Sequence, residues 1–195
     1  MLNDRSSTLA LLATRRSGKP RERVPPGPNA AELAEILALA ARVPDHGKLF
    51  PWRFVTIAAE QREALATLLR RALAAEDADA PRLKQDKTDE FARQAPSLVV
   101  LISAAIADHK IPLWEQELSA GAVAMNLLLA THAMGYVGGW ITGWPSYSPT
   151  VAAALCAPGE RIAGFFFLGT PGRPLEERPR PDMAQVVSAW APPTP

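Results

Sequence analysis

The unbroken apolar run Leu98-Val99-Val100-Leu101-Ile102 restricts the architecture more than any other segment. It has strand length and no polar face, so it needs cover on both sides. Candidate covers surround it. Leu65, Leu68, Leu69, Ala72 and Leu73 form the apolar stripe of a helix from about Glu60 to Ala75. A longer helix begins near Pro112 and runs through Trp114, Leu118, Ala122, Met125 and Leu129 to Gly135. Strands alternating with helices in this way predict a three-layer α/β/α sandwich, a small mixed sheet flanked by helices. A length of 195 residues fits one domain over 1–195.

The remaining elements follow from local chemistry. Ser6 or Ser7 suits the N-cap of a short helix through Leu9, Leu12 and Ala13, ending near Arg15-Arg16-Ser17-Gly18. Asn29 with Glu32 announces a second helix carrying Leu33, Ile36, Leu37, Ala40 and Ala41, which must stop before Pro44. Phe54 to Ala58, Tyr136 to Thr142 and Ile162 to Leu168 read as strands, and Thr150 to Leu155 as a short helix. Asp79 to Arg93 is more polar and predicts a solvated helix or a mobile flap. Most of the 19 prolines fall in Pro20 to Pro28 and in a tail from about Pro171 to Pro195, both expected to lie as extended arms on a surface. The helix containing Ala120 to Leu129 is apolar nearly all round, as suits a central helix or one buried between two copies of the chain.

Several function classes are disfavoured. With 21 basic and 20 acidic side chains, the chain has no excess to neutralise a phosphate backbone, which argues against nucleic acid. A lone Cys156 makes no internal disulfide and no cysteine zinc site. His46, His109 and His132 lack ligand spacing. Gly135, Gly138 and Gly139 stand at a helix-to-strand turn, so they are not a dinucleotide fingerprint. No Gly-x-Ser-x-Gly elbow is present. No leader or membrane-spanning run is visible, and a cytoplasmic location is expected.

Taken singly, Arg15 and Arg16 suit a helix exit, and His46 suits a loop. Their order along the chain says more. Arg15-Arg16-Ser17, then Arg42-Val43-Pro44-Asp45-His46 leading to Pro51-Trp52-Arg53-Phe54, then Trp114 to Gly121, then Gly135-Tyr136-Val137-Gly138-Gly139-Trp140, together resemble the nitroreductase family of FMN-dependent oxidoreductases. Within it they are similar to the compact YdjA type of NAD(P)H nitroreductase.

That resemblance implies an α+β homodimer, with the C-terminal arm reaching onto the partner and FMN at the dimer interface. It implies FMN contacts by Arg15, Arg16 and Ser17, by Arg42 and His46, and by Trp140, Ile141 and Thr142. Arginine suits such a role because its planar fork holds phosphate through paired, charge-assisted hydrogen bonds. It also implies nicotinamide contact along Ala130, Thr131, His132, Ala133, Met134 and Gly135, and transfer of hydride from NADH or NADPH to a nitroaromatic, quinone or similar acceptor by a ping-pong mechanism. The sequence departs from the YdjA type at Ile141-Thr142, where that type carries Arg-Ser, so one positive charge is missing. Lys48 and Arg173 are candidates to replace it. This missing charge leaves open a second reading, a flavin store or sensor with little turnover.

Overall fold

The computed structural model describes residues 1–193. Thr194 and Pro195, the last positions of the expected tail, lie outside the described residues.

The chain begins with α1 (Thr8–Thr14), whose N-cap Ser7 accepts from the Ala10 N–H. A two-residue strand β1 (Arg23–Val24) follows. Next comes α2 (Ala30–Ala40), opened by the reciprocal Asn29–Glu32 capping box that the sequence signals. Strand β2 (Trp52–Ile57) leads into α3 (Arg62–Glu76) and α4 (Arg82–Arg93). Then come β3 (Ser97–Ser103), the 21-residue α5 (Leu113–Ala133), β4 (Val137–Ile141), α6 (Pro149–Leu155), β5 (Arg161–Pro171) and a single turn, α7 (Met183–Val186).

The sheet runs β2–β3–β5–β4, with β1 joining the C-terminal end of β5. β5 is the centre: Phe166 faces Val99 on one neighbour and Trp140 on the other. Side-chain alternation along β3 and β5 then makes two cores. Val100, Ile102, Phe165 and Phe167 pack with Leu65 and Leu69 of α3, while Val99, Leu101, Phe166 and Leu168 pack with Ile36 of α2 and Leu127 of α5. The apolar run is covered on both faces, as required. Each fully buried phenylalanine contributes roughly 1.5–3 kcal/mol.

Several details differ from expectation or sharpen it. A mixed sheet is expected, yet every pairing among the described residues is antiparallel. The link from β2 to β3 is a pair of helices, an even number of passes, so the chain re-enters the sheet running the opposite way. Asp79 to Arg93, expected as a solvated helix or a mobile flap, holds the helix α4, and one side of it is anchored in the core: Ala92 is buried and Phe91 sits edge-on to Phe165 and Phe167 at centroid distances of 5.1 and 5.2 Å. Pro20 to Pro28 is not simply a surface arm: it holds β1, and Arg23 and Pro28 are buried. From Arg173 to Pro193 the tail is irregular apart from the single turn α7 and exposed apart from the half-buried Leu175, with Met183, Val186 and Trp190 all facing outward.

Candidate functional site

Residues far apart in sequence meet at an open cavity of about 550 Å³ on one side of β4. Arg16, Ser17, Gly18 and Lys19, just past the exit of α1, form one wall; Ile141 at the end of β4 forms another; Arg173 and Leu175, from the start of the tail, close the third. The basic segment is held by its own contacts. Asn3 brackets Arg16, taking the Arg16 N–H at 2.7 Å and donating to the Arg16 carbonyl at 3.0 Å. Arg15 Nη1 donates to Ser17 Oγ at 3.3 Å, and Arg16 Nε donates to the Glu176 carbonyl at 2.7 Å, which ties the tail to the cavity rim. Burial, and then the cations of Arg180 and Arg16, draw the Arg15 guanidinium below its ordinary pKa. Positive charge is therefore crowded here, offset in part by Glu22, which pairs with Lys19 at 3.6 Å, and by Glu177, which pairs with Arg180 at 2.8 Å.

Behind this wall lie all three buried side-chain polar atoms that lack a partner among the described residues: Nε and Nη1 of Arg23, and Nδ1 of His132. Arg23 is 5% exposed and donates only from Nη2, to the Gly18 carbonyl at 2.7 Å. Burial pushes its pKa down to about 10, so it remains a cation at neutral pH. His132 ends α5, fully buried, and Nε2 accepts the Gly138 N–H at 3.0 Å, which puts the ring proton on Nδ1. Burial, followed by the charge of Arg15, pushes its pKa down to about 4, so this ring is neutral.

The opening between α2 and β2 is a second built feature. Asp45 organises it, with Oδ1 accepting the Leu49 N–H at 3.2 Å and Oδ2 the Phe50 N–H at 2.8 Å. Lys48 and Phe50 adopt positive φ, 55° and 49°, an unusual strain for side-chain-bearing residues. One face of α5 pins the preceding residues. Asn126 Nδ2 donates to the Arg42 carbonyl at 2.9 Å, Ser119 Oγ to the Pro44 carbonyl at 3.0 Å, and Glu115 Oε2 pairs with His46 Nδ1 at 2.7 Å. Positions 115, 119 and 126 recur on one helical stripe, so α5 acts as a polar rail for this segment.

Not all sequence-selected residues converge. Arg15, Arg16, Ser17 and Ile141 stand together, and Trp140 adjoins them, stacked on Phe166 with Nε1 bonded to the Ala163 carbonyl. Thr142 is exposed, and its carbonyl takes the Ser146 hydroxyl. Arg42 lines a different cavity of about 590 Å³ between α1, α2 and α5, together with Asn126, Leu129, Ala130 and Ala133. His46 is exposed at the far end of the rail. Within the stretch Ala130 to Gly135, Thr131 and His132 are fully buried, and only Ala130 and Ala133 line a cavity. Lys48 lies in the strained loop, whereas Arg173 does line the basic cavity. Sequence reasoning missed Lys19, Arg23 and the anchoring role of Glu115. Pro20-Arg21-Glu22-Arg23 reads as part of the extended surface arm Pro20 to Pro28, with no periodicity to reveal that one arginine turns inward.

The donor set fits a phosphate-bearing cofactor such as FMN. The cavity is of ligand size, Arg16, Lys19 and Arg173 supply charge-assisted donors at its rim, and unpartnered donors lie behind it. Among the described residues no His, Cys, Asp and Glu cluster could hold a metal ion, and no helix is long and apolar enough to cross a membrane.

Comparison with known proteins agrees with this chemistry. The family model described as "Nitroreductase family" matches residues 12–170. An Escherichia coli (strain K12) protein named "Putative NAD(P)H nitroreductase YdjA" is 35% identical over 164 residues, covering 84% of this chain and 87% of that protein. The crystal structure of a nitroreductase-like family protein from Bacillus cereus superposes with a TM-score of 0.80 at 19% identity, covering 95% of this chain and 96% of that one. A mutant of the FMN and NADPH-dependent nitroreductase NfnB, from sphigopyxis sp. strain HMH, superposes with a TM-score of 0.72 at 18% identity, covering 92% and 97% of the two chains.

Proposed function

The chain belongs to the nitroreductase family, and on that premise we propose that it is an FMN-dependent oxidoreductase using NADH or NADPH as reductant. The observation that carries this reading is the convergence of Arg16, Ser17, Ile141 and Arg173 on one basic cavity. Arg15, Arg16 and Ser17 hold the phosphate and ribityl chain, with Arg173 adding charge at the rim. Trp140, Ile141 and Thr142 border the ring. Bound there, FMN would take a hydride at N5 from the nicotinamide and pass it to a nitroaromatic, quinone or similar acceptor in ping-pong order.

The protein's own contribution is binding, orientation and field. Arginine keeps its charge at every working pH, so the protein side of the phosphate grip does not titrate. The rail on α5 fixes Arg42 to His46, and through it the strained loop carrying Phe50, which is two-thirds exposed and edge-on to Trp52. We assign Arg42 and His46 to the cofactor of a second copy of the chain. The support is an outward apolar stripe on α5, Trp114, Leu118 and Met125, together with the exposed Leu9 and Leu12 of α1. Such a face suits a homodimer, with the apolar residues of the tail covering the partner. Nicotinamide contact is proposed for Ala130 and Ala133, the members of their stretch that line a cavity.

A flavin store or sensor is the second reading. It is favoured by Ile141, which brings no charge to the ring edge. The proposed binding site is tested by titrating apo-protein with FMN and with riboflavin. Arg16→Ala should weaken FMN by roughly 10- to 100-fold, the size of a lost charge-assisted bond, and leave riboflavin nearly unchanged. Equal affinity of wild type for the two flavins would refute the phosphate grip, and failure to take up either would remove both flavin readings.

A further inference from the structure

A buried arginine without enough acceptors is costly, and the neighbouring Glu22 carboxylate offsets the burial of Arg23 only in part. Two of its three guanidinium nitrogens have no partner, and the single bond it makes is to the Gly18 carbonyl. An apolar side chain of similar length would suit the fold better. Arg62, the other buried arginine among the described residues, shows the contrast: it donates to the carbonyls of Ile57, Ala92 and Gln94 and so ties α3 to the end of α4. Arg23 ties little together.

Its position suggests another use. Gly18, whose carbonyl holds the guanidinium, lines the basic cavity, as does the preceding residue Glu22. On the other side the guanidinium fills the space that a Cβ on Gly139 would occupy. One layer of backbone therefore separates this cation from the cavity wall. Ile141, two positions further along β4, reaches the cavity and carries no charge. His132, bonded to the neighbouring Gly138, is neutral and adds none.

We infer that Arg23 is a positioning residue whose buried positive charge acts through the Gly18 backbone on the cavity, stabilising the negative charge that a flavin ring gains on reduction. The inference rests on the flavin reading above. A cation that cannot touch the ligand contributes field and not contact. A field fixed in a low-dielectric wall acts most on charge that changes during reaction. Arg16, Lys19 and Arg173 already stand at the rim for a phosphate, whose charge is constant.

The test compares wild type with Arg23→Met and Arg23→Lys in two measurements, apo-protein melting and the reduction potential of bound FMN and bound riboflavin against redox dyes. R23M should melt at or above wild type, since it removes an unpaired buried charge. It should also lower the equilibrium constant for two-electron reduction about tenfold, which is about 30 mV, with either flavin. R23K should restore most of that shift. If R23M does not fold, Arg23→Gln, which keeps a donor for Gly18, carries the same expectation. An unchanged potential in the variant with FMN bound overturns the inference and leaves the flavin reading intact. Weaker FMN binding with riboflavin affinity and potential unaffected overturns it in favour of a phosphate role. Failure of wild type to bind either flavin removes the flavin reading and this inference together.

Discussion

His132 makes the stability of the protein depend on pH in a window that can be calculated. Its ordinary pKa is 6.5, and burial, with the Arg15 charge second, brings it to about 4 in the folded state. The unfolded chain therefore takes up a proton first as pH falls. The corresponding stability is fully present above about pH 6.5 and is lost progressively as pH drops toward 4. Between pH 7.5 and 5.0 the two titration curves differ by about 2 kcal/mol, because at pH 5.0 the protonated form outnumbers the neutral one about thirtyfold in the unfolded state while the folded state is still almost neutral. His132→Gln keeps an acceptor for the Gly138 N–H and removes the titration. Urea unfolding of apo wild type and H132Q at both pH values isolates the effect, because the carboxylates titrate alike in the two proteins. H132Q should be less stable at pH 7.5 but lose about 2 kcal/mol less on going to pH 5.0. If both proteins lose the same amount, His132 is not the buried neutral group described here.

Arg62→Met removes the guanidinium that satisfies the carbonyls of Ile57, Ala92 and Gln94; unfolding free energy measured in urea should fall by roughly 2–4 kcal/mol. Asn126→Ala cuts the rail at the Arg42 carbonyl, with an expected loss of about 1 kcal/mol in stability. If Arg42 faces a cofactor, FMN affinity measured by fluorescence titration should fall about fivefold as well. Unaltered affinity in that variant would detach Arg42 from the site.

The fold was legible wherever one residue pattern had one physical solution. Leu98 to Ile102 admitted only a strand covered on both faces, and the Asn29–Glu32 pair marked the start of α2 to the residue. The sheet's pairing was not legible, since strand direction depends on how many helices intervene, and the polar stretch that became α4 read equally as a solvated helix or a flap. Phe91 and Ala92 carried the evidence of packing there, diluted among charges. In the site, Arg16 and Ser17 were readable from their motif and Arg173 from its charge. Arg23 was not readable, because inward and outward arginines look alike in sequence. The role of Glu115 was equally hidden: its bond to His46 spans two elements whose approach only the tertiary structure sets.

We propose that the basic cavity beside β4 holds FMN so that nicotinamide can reduce it and an acceptor can reoxidise it. Anaerobic mixing of the FMN-loaded protein with NADH or NADPH, followed by a nitroaromatic or quinone, tests this most directly through the flavin absorbance. Stoichiometric bleaching by at least one nicotinamide is expected, with return of the oxidised spectrum on adding acceptor. Bound FMN that stays oxidised with both nicotinamides would contradict it and favour the store or sensor reading.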